Sequence, residues 1–208
     1  MDSSDWYMDM LFPTPIWWTD VDIDNCVLKN LALELKENDP QGRVVSNLGG
    51  WQSRDINAYT HKELVPLKNI ILDQAQRCLI DYGYCLHSGF LEIDNFWVNI
   101  NYFKDSNVAH FHDRSFISGV YYIDAEKSQG EISFYKNAAE AFIVSSAAGP
   151  LLKRNNLSST EETYKVKTGR LIMFPSSLVH RVDQNLTKYP RISISWNVRY
   201  IEYIKLTD

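Results

Sequence analysis

The sequence predicts a mainly β protein, a sandwich or barrel, preceded by two helices. From about Leu91 onward, short runs dense in β-branched and aromatic residues alternate with Gly-containing turns. Within them Asn99 and Asn101 alternate with Val98, Ile100 and Tyr102, and Arg191, Ser193 and Ser195 alternate with Ile192, Ile194 and Trp196. That period of two marks strands with one polar face. Before Leu91, apolar residues recur at helical spacing instead.

The 208 residues fit one domain, 1–208, with a strand and helical annex over 1–90 and a β core over 91–205. Hydrophobic content of 45% and aromatic content of 13% are those of a globular protein. A net charge of −5 and a pI near 5.5 argue against a broad phosphate-binding surface, and so against nucleic acid as a partner. No apolar run approaches the roughly 18 residues of a membrane span, and no signal-peptide layout opens the chain. Cys26, Cys78 and Cys85 form no Cys-x-x-Cys pair; their odd number points to reduced thiols in a cytoplasm. Cys26 and Cys78 read as small apolar fillers of helices.

In chain order, residues 1–10 read as a loose arm and Phe12–Val21 as an edge strand entered through Pro15. Asp24 suits the N-cap of a helix to about Glu37, with Val27, Leu31 and Leu35 in its stripe and Asn38-Asp-Pro40 stopping it. Residues 40–60 are irregular, and no Gly-Lys-Ser/Thr follows Gly49-Gly50, which excludes a phosphate loop. Thr60 reads as the cap of a second helix to about Tyr82, with Leu64, Leu67, Ile71, Ala75, Cys78 and Tyr82 on one face and Gly83 at its end. Strands are predicted over 92–104, 116–124, 131–136, 140–145, 164–167, 170–174, 179–183 and 191–201. The long polar connection 146–163 is either a lid or a plain surface loop.

His110 and His112 stand two apart, so on an extended chain both imidazoles leave one face, as metal ligands or as solvated strand-end residues. His180 follows an apolar strand, and Arg191, eleven residues later, opens a strand on its polar face. An Arg there is costly to bury unless it meets an anion. A metal with an anionic co-ligand held by Arg191 accounts for all four residues together.

These residues resemble the Fe(II)/2-oxoglutarate-dependent oxygenase superfamily, whose pattern is His-x-Asp, a distal His, and Arg-x-Ser about ten residues later. Within it the chain resembles the small phage and bacterial group of prolyl-hydroxylase-type oxygenases. The matching pieces are Asn99-x-Asn101, His110-x-His112, Ser118-Gly-Val-Tyr-Tyr122, Gly130-Glu-Ile-Ser-Phe134, Gly169-Arg-Leu-Ile-Met-Phe-Pro175, His180 and Arg191-Ile-Ser-Ile-Ser195, with Leu11-Phe-Pro-Thr-Pro-Ile16 and Gly50-Trp-Gln-Ser53 upstream. The resemblance implies a double-stranded β-helix (jelly-roll or cupin-like) buttressed by the two helices. It also implies a cytoplasmic dioxygenase of a bacterial or phage-infected cell. Fe(II) and 2-oxoglutarate would be used to hydroxylate a peptidyl residue such as proline, or a small metabolite, with release of succinate and carbon dioxide.

By the same resemblance His110, His112 and His180 bind iron. Arg191 takes the distal carboxylate of 2-oxoglutarate with Tyr122, Ser193 can add a hydroxyl, and Asn99 and Asn101 line the co-substrate. The chain departs from the pattern at His112, where the superfamily has Asp; a bulge turning Asp113 inward is the other way to complete the set. His61, His87, Arg170 and Arg181 read as surface residues, with Arg181 able to touch substrate beside His180. A three-histidine dioxygenase that does not use 2-oxoglutarate would keep the iron without needing Arg191. A non-catalytic binding barrel would keep only the fold.

Overall fold

The computed structural model describes residues 7–138, 141 and 153–203. Strand β1 (Trp17–Asp20) leads into helix α1 (Asn25–Asn38), then two two-residue strands, β2 (Asn47–Leu48) and β3 (Trp51–Gln52). A 3₁₀ turn (Lys62–Leu64) opens helix α2 (Val65–Asp81). There follow β4 (Gly89–Asn101), β5 (Ser106–His110), β6 (Ile117–Asp124), β7 (Ile132–Tyr135), β8 (Glu161–Tyr164), β9 (Arg170–Pro175), β10 (His180–Val182) and β11 (Arg191–Glu202). Every pairing among the described residues is antiparallel. A six-stranded sheet runs β1-β9-β6-β11-β4-β3 and a five-stranded sheet runs β2-β5-β10-β7-β8, the two sheets of a double-stranded β-helix.

The larger sheet is covered on both faces. Its outer face sets Val98, Ile100, Tyr121, Ile123, Leu171, Met173, Ile192, Ile194 and Trp196 against Leu28, Leu31 and Ala32 of α1 and Leu67, Ile71, Ala75 and Cys78 of α2. Burying each large side chain contributes about 1.5–3 kcal/mol, so this helix-on-sheet layer is a principal source of stability. The inner face meets the smaller sheet through Val120, Tyr122, Ile172 and Phe174 against Ile132 and Phe134. At the other end of that face the residues are polar, and the site lies there.

Asp24 caps α1 as expected, its carboxylate accepting from the Cys26 and Val27 backbone N–H groups at 2.9 and 3.3 Å. Several expectations need correction. The buried stripe of α1 is Leu28, Leu31 and Ala32, with Val27 40% exposed, because the helix is rotated by about one residue from the expected stripe. Cys26, in the first turn, is exposed, whereas Cys78 is buried as expected. Thr60 donates its hydroxyl to the Asn57 carbonyl and caps nothing, because the 3₁₀ turn intervenes before α2. Tyr82 lies just past the helix and is half-exposed.

Strand 92–104 sits three residues earlier, and Tyr102, Phe103 and Lys104 form the turn into β5. The strand expected at 164–167 ends at Tyr164, and β2, β3 and β5 were not anticipated. Among the described residues no helix is long and apolar enough to cross a membrane. The predicted strand 140–145 and the start of the 146–163 connection fall largely outside the described residues; the end of that connection forms the start of β8.

Candidate metal and co-substrate site

Strand register lays the site out in rows. On the inner face of the larger sheet, Arg191 lies beside Asn101, Ser193 sits between Asn99 and Tyr122, and Ser195 sits between Trp97 and Val120. On the facing sheet, His180 sits between His110 and Phe134, while Val182 lies between Asn107 and Ile132. His112 follows β5 and is fixed by its backbone N–H donating to the Ser176 carbonyl at 2.9 Å. Ser176 is itself tied by its hydroxyl to that of Ser118, whose own proton goes to Asn197 Oδ1.

The three imidazoles converge. Ring centroids are 5.1 Å apart for His110–His112, 4.4 Å for His110–His180 and 5.3 Å for His112–His180, and ligand atoms lie within 4.8 Å of one another. Nδ1 of His110 meets the Val108 carbonyl at 2.7 Å, and Nδ1 of His180 meets the Leu178 carbonyl at 2.9 Å. A carbonyl only accepts, so each Nδ1 carries the proton and each Nε2 of the neutral ring presents its lone pair. Burial disfavours the imidazolium in all three, with the neighbouring His110 adding repulsion on the other two. His110 is pushed below 6.5, His112 to about 4 and His180 to about 3. At neutral pH the trio is uncharged and competent to hold a metal. The Asp113 carboxylate stands outside it: its side chain is 81% exposed and lies 3.7 Å from the Arg114 guanidinium.

The other end of the cavity holds a buried cation. Arg191 is 1% exposed, and its Nη1 donates to the carbonyls of Gln129 (2.6 Å), Gly130 (2.8 Å) and Asp183 (3.5 Å). Among the described residues no carboxylate lies within ion-pair distance of its guanidinium. Burial lowers its pKa from 12.5, the expected cost of a cation out of water without a counter-ion. In the same cavity the Tyr122 hydroxyl, a donor, and the Oδ1 atoms of Asn99 and Asn101, both acceptors, are buried with no hydrogen-bond partner among the described residues. Burial raises Tyr122 from 10.0 to about 12, so the phenol remains a neutral donor. Imidazoles, orphaned polar atoms and Arg191 line one cavity of about 500 Å³ of empty space, its mouth included.

Thus the cavity contains all eight residues expected from the sequence: Asn99, Asn101, His110, His112, Tyr122, His180, Arg191 and Ser193. It also holds Ser46 and Asn107, bonded to each other at 3.2 Å, and Trp97, whose ring centroid is 5.7 Å from that of His112. Sequence reasoning gave these three no role: Ser46 lies in a stretch read as irregular and Asn107 in a strand that was missed. His61 is half-buried and His87 exposed, both away from the cavity. Arg170 pairs with Asp20, and Arg181 with Glu161 and Asp183.

A double-stranded β-helix with a histidine trio and a buried Arg in one cavity is a framework that could hold a metal ion. Residues 95–197, which hold every one of the eight, match the family model described as "Putative 2OG-Fe(II) oxygenase". The chain belongs to that family: it is a 2-oxoglutarate-dependent dioxygenase that takes Fe(II) as cofactor and 2-oxoglutarate as co-substrate.

Solved structures of similar fold include a Pseudomonas putida prolyl-4-hydroxylase, 15% identical with a TM-score of 0.57, covering 89% of this chain and 93% of that one. The non-heme alpha-ketoglutarate-dependent carbocyclase SnoK from nogalamycin biosynthesis is 12% identical, with a TM-score of 0.61 over 94% and 84% of the two chains. The viral collagen prolyl hydroxylase of Paramecium bursaria Chlorella virus-1, in complex with 2OG, is 13% identical, with a TM-score of 0.55 over 89% and 96%. At these identities the likeness is one of fold. No curated protein matches the chain in sequence.

Proposed function

We propose that His110, His112 and His180 are the iron ligands, and that Arg191, Tyr122, Ser193, Asn99 and Asn101 hold 2-oxoglutarate. The observation that carries the reading is the buried, uncompensated Arg191 and the orphaned Tyr122 hydroxyl, in the same cavity as three neutral imidazoles. An unpartnered buried donor costs about 1–3 kcal/mol, so the Tyr122 hydroxyl in the same cavity as an uncompensated cation makes sense as the waiting half of an anion site. The Asn99 and Asn101 Oδ1 atoms, by contrast, accept only and await a donor. Iron with 2-oxoglutarate supplies oxygen activation coupled to loss of carbon dioxide, formation of succinate and hydroxylation of the substrate. Arg191 and the neutral Tyr122 hydroxyl donate to the distal carboxylate and fix the co-substrate's orientation. With three uncharged ligands, the metal's double positive charge would be offset only by the carboxylate that does not meet Arg191, where a carboxylate ligand would have supplied a second negative charge.

The substrate proposed is a peptidyl residue such as proline, or a small metabolite. Half-exposed or exposed apolar residues adjoin the lining residues in sequence: Val45 before Ser46, Phe111 between His110 and His112, and Val179 before His180. They suit a substrate with apolar surface. We further propose that 1–208 is one domain, since residues of α1 and α2 share a single core with β4 and β11. A reducing, cytoplasmic setting is proposed from three cysteines that are all unpaired. The test is oxygen-dependent conversion of 2-oxoglutarate to succinate by purified protein with added Fe(II), then acceleration by panels of proline peptides and of small metabolites. Succinate is expected above the protein-free rate in the wild type and not in Arg191→Leu. Equal succinate from both would remove Arg191 from the co-substrate site.

A further inference from the structure

We propose that Gly130 is a positioning residue for the co-substrate anion, setting where the Arg191 guanidinium sits by presenting backbone carbonyls to it; this rests on the reading of Arg191 above. The turn between β6 and β7 is unusual for what it offers. Two consecutive carbonyls, Gln129 at 2.6 Å and Gly130 at 2.8 Å, accept from the one nitrogen Nη1. Aiming successive carbonyls at one point requires a backbone twist, and Gly130 has φ +89°. An L side chain is strained at that angle.

Space excludes a side chain as firmly as strain does. A Cβ on Gly130 would stand 2.0 Å from the Asp183 carbonyl oxygen and 2.4 Å from Arg191 Nη1. Arg191 cannot easily give way, because it is 1% exposed and its strand is paired on both sides, with β4 and β6. The turn is also pinned from behind. Gln129, 2% exposed, donates through Nε2 to the Tyr189 carbonyl at 3.2 Å and to Thr187 Oγ1 at 3.4 Å, and accepts from the Glu126 N–H at 2.7 Å. The cradle is thus neutral, rigid and made of main chain. It orders the cation without neutralising it, and leaves its charge for the co-substrate.

The experiment compares Gly130→Ala with Gly83→Ala, a matched control. Gly83 has φ +81°, and a Cβ there would meet nothing within 4 Å. Both substitutions carry the left-handed strain, but only one pushes Arg191. Binding of 2-oxoglutarate to anaerobic Fe(II)-loaded protein is measured by calorimetry, alongside metal content, thermal midpoint and the KM for 2-oxoglutarate. Gly130→Ala is expected to raise Kd and KM at least 10-fold with metal content unchanged and kcat recovered at saturating 2-oxoglutarate. Gly83→Ala should lower the thermal midpoint and leave Kd alone. Gln129→Ala, which loosens the turn without a clash, should raise Kd about 3-fold and keeps the test open if Gly130→Ala does not fold. Wild-type protein that binds no 2-oxoglutarate overturns the co-substrate reading itself. Wild-type binding with Kd unchanged in Gly130→Ala, or in Gln129→Ala where the former is insoluble, overturns this proposal alone.

Discussion

Removing one oxygen atom at Tyr122 should move stability and affinity in opposite directions. The Tyr122 hydroxyl is shielded from solvent and has no hydrogen-bond partner, and the residue is 1% exposed. In the metal-free, co-substrate-free protein that hydroxyl contributes only its desolvation penalty, about 1–3 kcal/mol. Tyr122→Phe keeps the ring packed against its neighbours between the sheets and should therefore stabilise the metal-free protein by up to that amount. With 2-oxoglutarate bound, the same hydroxyl donates to a carboxylate, a charged hydrogen bond of about 1.5–3 kcal/mol. Its loss weakens binding about 10- to 150-fold. Denaturant unfolding of the metal-free protein reads the first effect, and calorimetric titration of the Fe(II)-loaded protein reads the second. A variant less stable than wild type with unchanged affinity would refute the reasoning, since it would make Tyr122 a packing residue only.

Arg191→Leu should leave metal content near wild type while weakening 2-oxoglutarate binding by about 2–5 kcal/mol, the loss of a buried anion's charged partner, as read by the same titration. His112→Asp should still take up iron, because the shorter carboxylate leaves from the same position; inductively coupled plasma analysis after anaerobic loading checks it. Acid should unfold the metal-free protein by way of His180, whose imidazole falls from 6.5 to about 3 through burial and then repulsion from His110. Below pH 6.5 the unfolded chain takes up a proton that the folded site refuses. That stability is therefore present above 6.5 and is lost as pH falls toward 3, by about 2 kcal/mol between pH 7 and pH 5. Unfolding free energies at the two pH values, compared with those of His180→Asn, isolate the contribution.

The sheets that matter most to the site were the most legible. On β4 and β11 the two faces differ in chemistry as well as direction, so Asn99, Asn101, Arg191 and Ser193 stand out against Val98, Ile100, Ile192 and Ile194 at a period of two. Strand β5 escaped notice because its pattern is inverted. Asn107 is buried toward the cavity, while Val108 is 43% exposed. A strand lining a polar site breaks the rule that apolar residues point inward. Strand β8, Glu161–Tyr164, is an edge strand joined to β7 mainly through its backbone, and its composition carries no alternation to read. On α1 the apolar residues 27, 28, 31, 32 and 35 allow two overlapping stripes, and only contact with the sheet selects Leu28 over Val27. The cradle of Arg191 was invisible for a different reason: Gln129, Gly130 and Asp183 act there through carbonyls, which every residue possesses.

The histidine trio was legible in part. Spacing brought His110 and His112 together, but nothing local showed that His112 lies beyond the end of β5, held by the Ser176 carbonyl. Ser118 and Ser176, which fix that loop, come from β6 and from just past β9, 58 positions apart.

The most direct test of a three-histidine centre is the iron content of His112→Ala and Asp113→Ala, loaded side by side with Fe(II) under anaerobic conditions and desalted. With His112 in the trio and the Asp113 carboxylate 81% exposed, His112→Ala should lose stoichiometric iron and Asp113→Ala should keep it. The reverse, iron kept without His112 and lost without Asp113, would contradict the account and put a carboxylate where we place an imidazole.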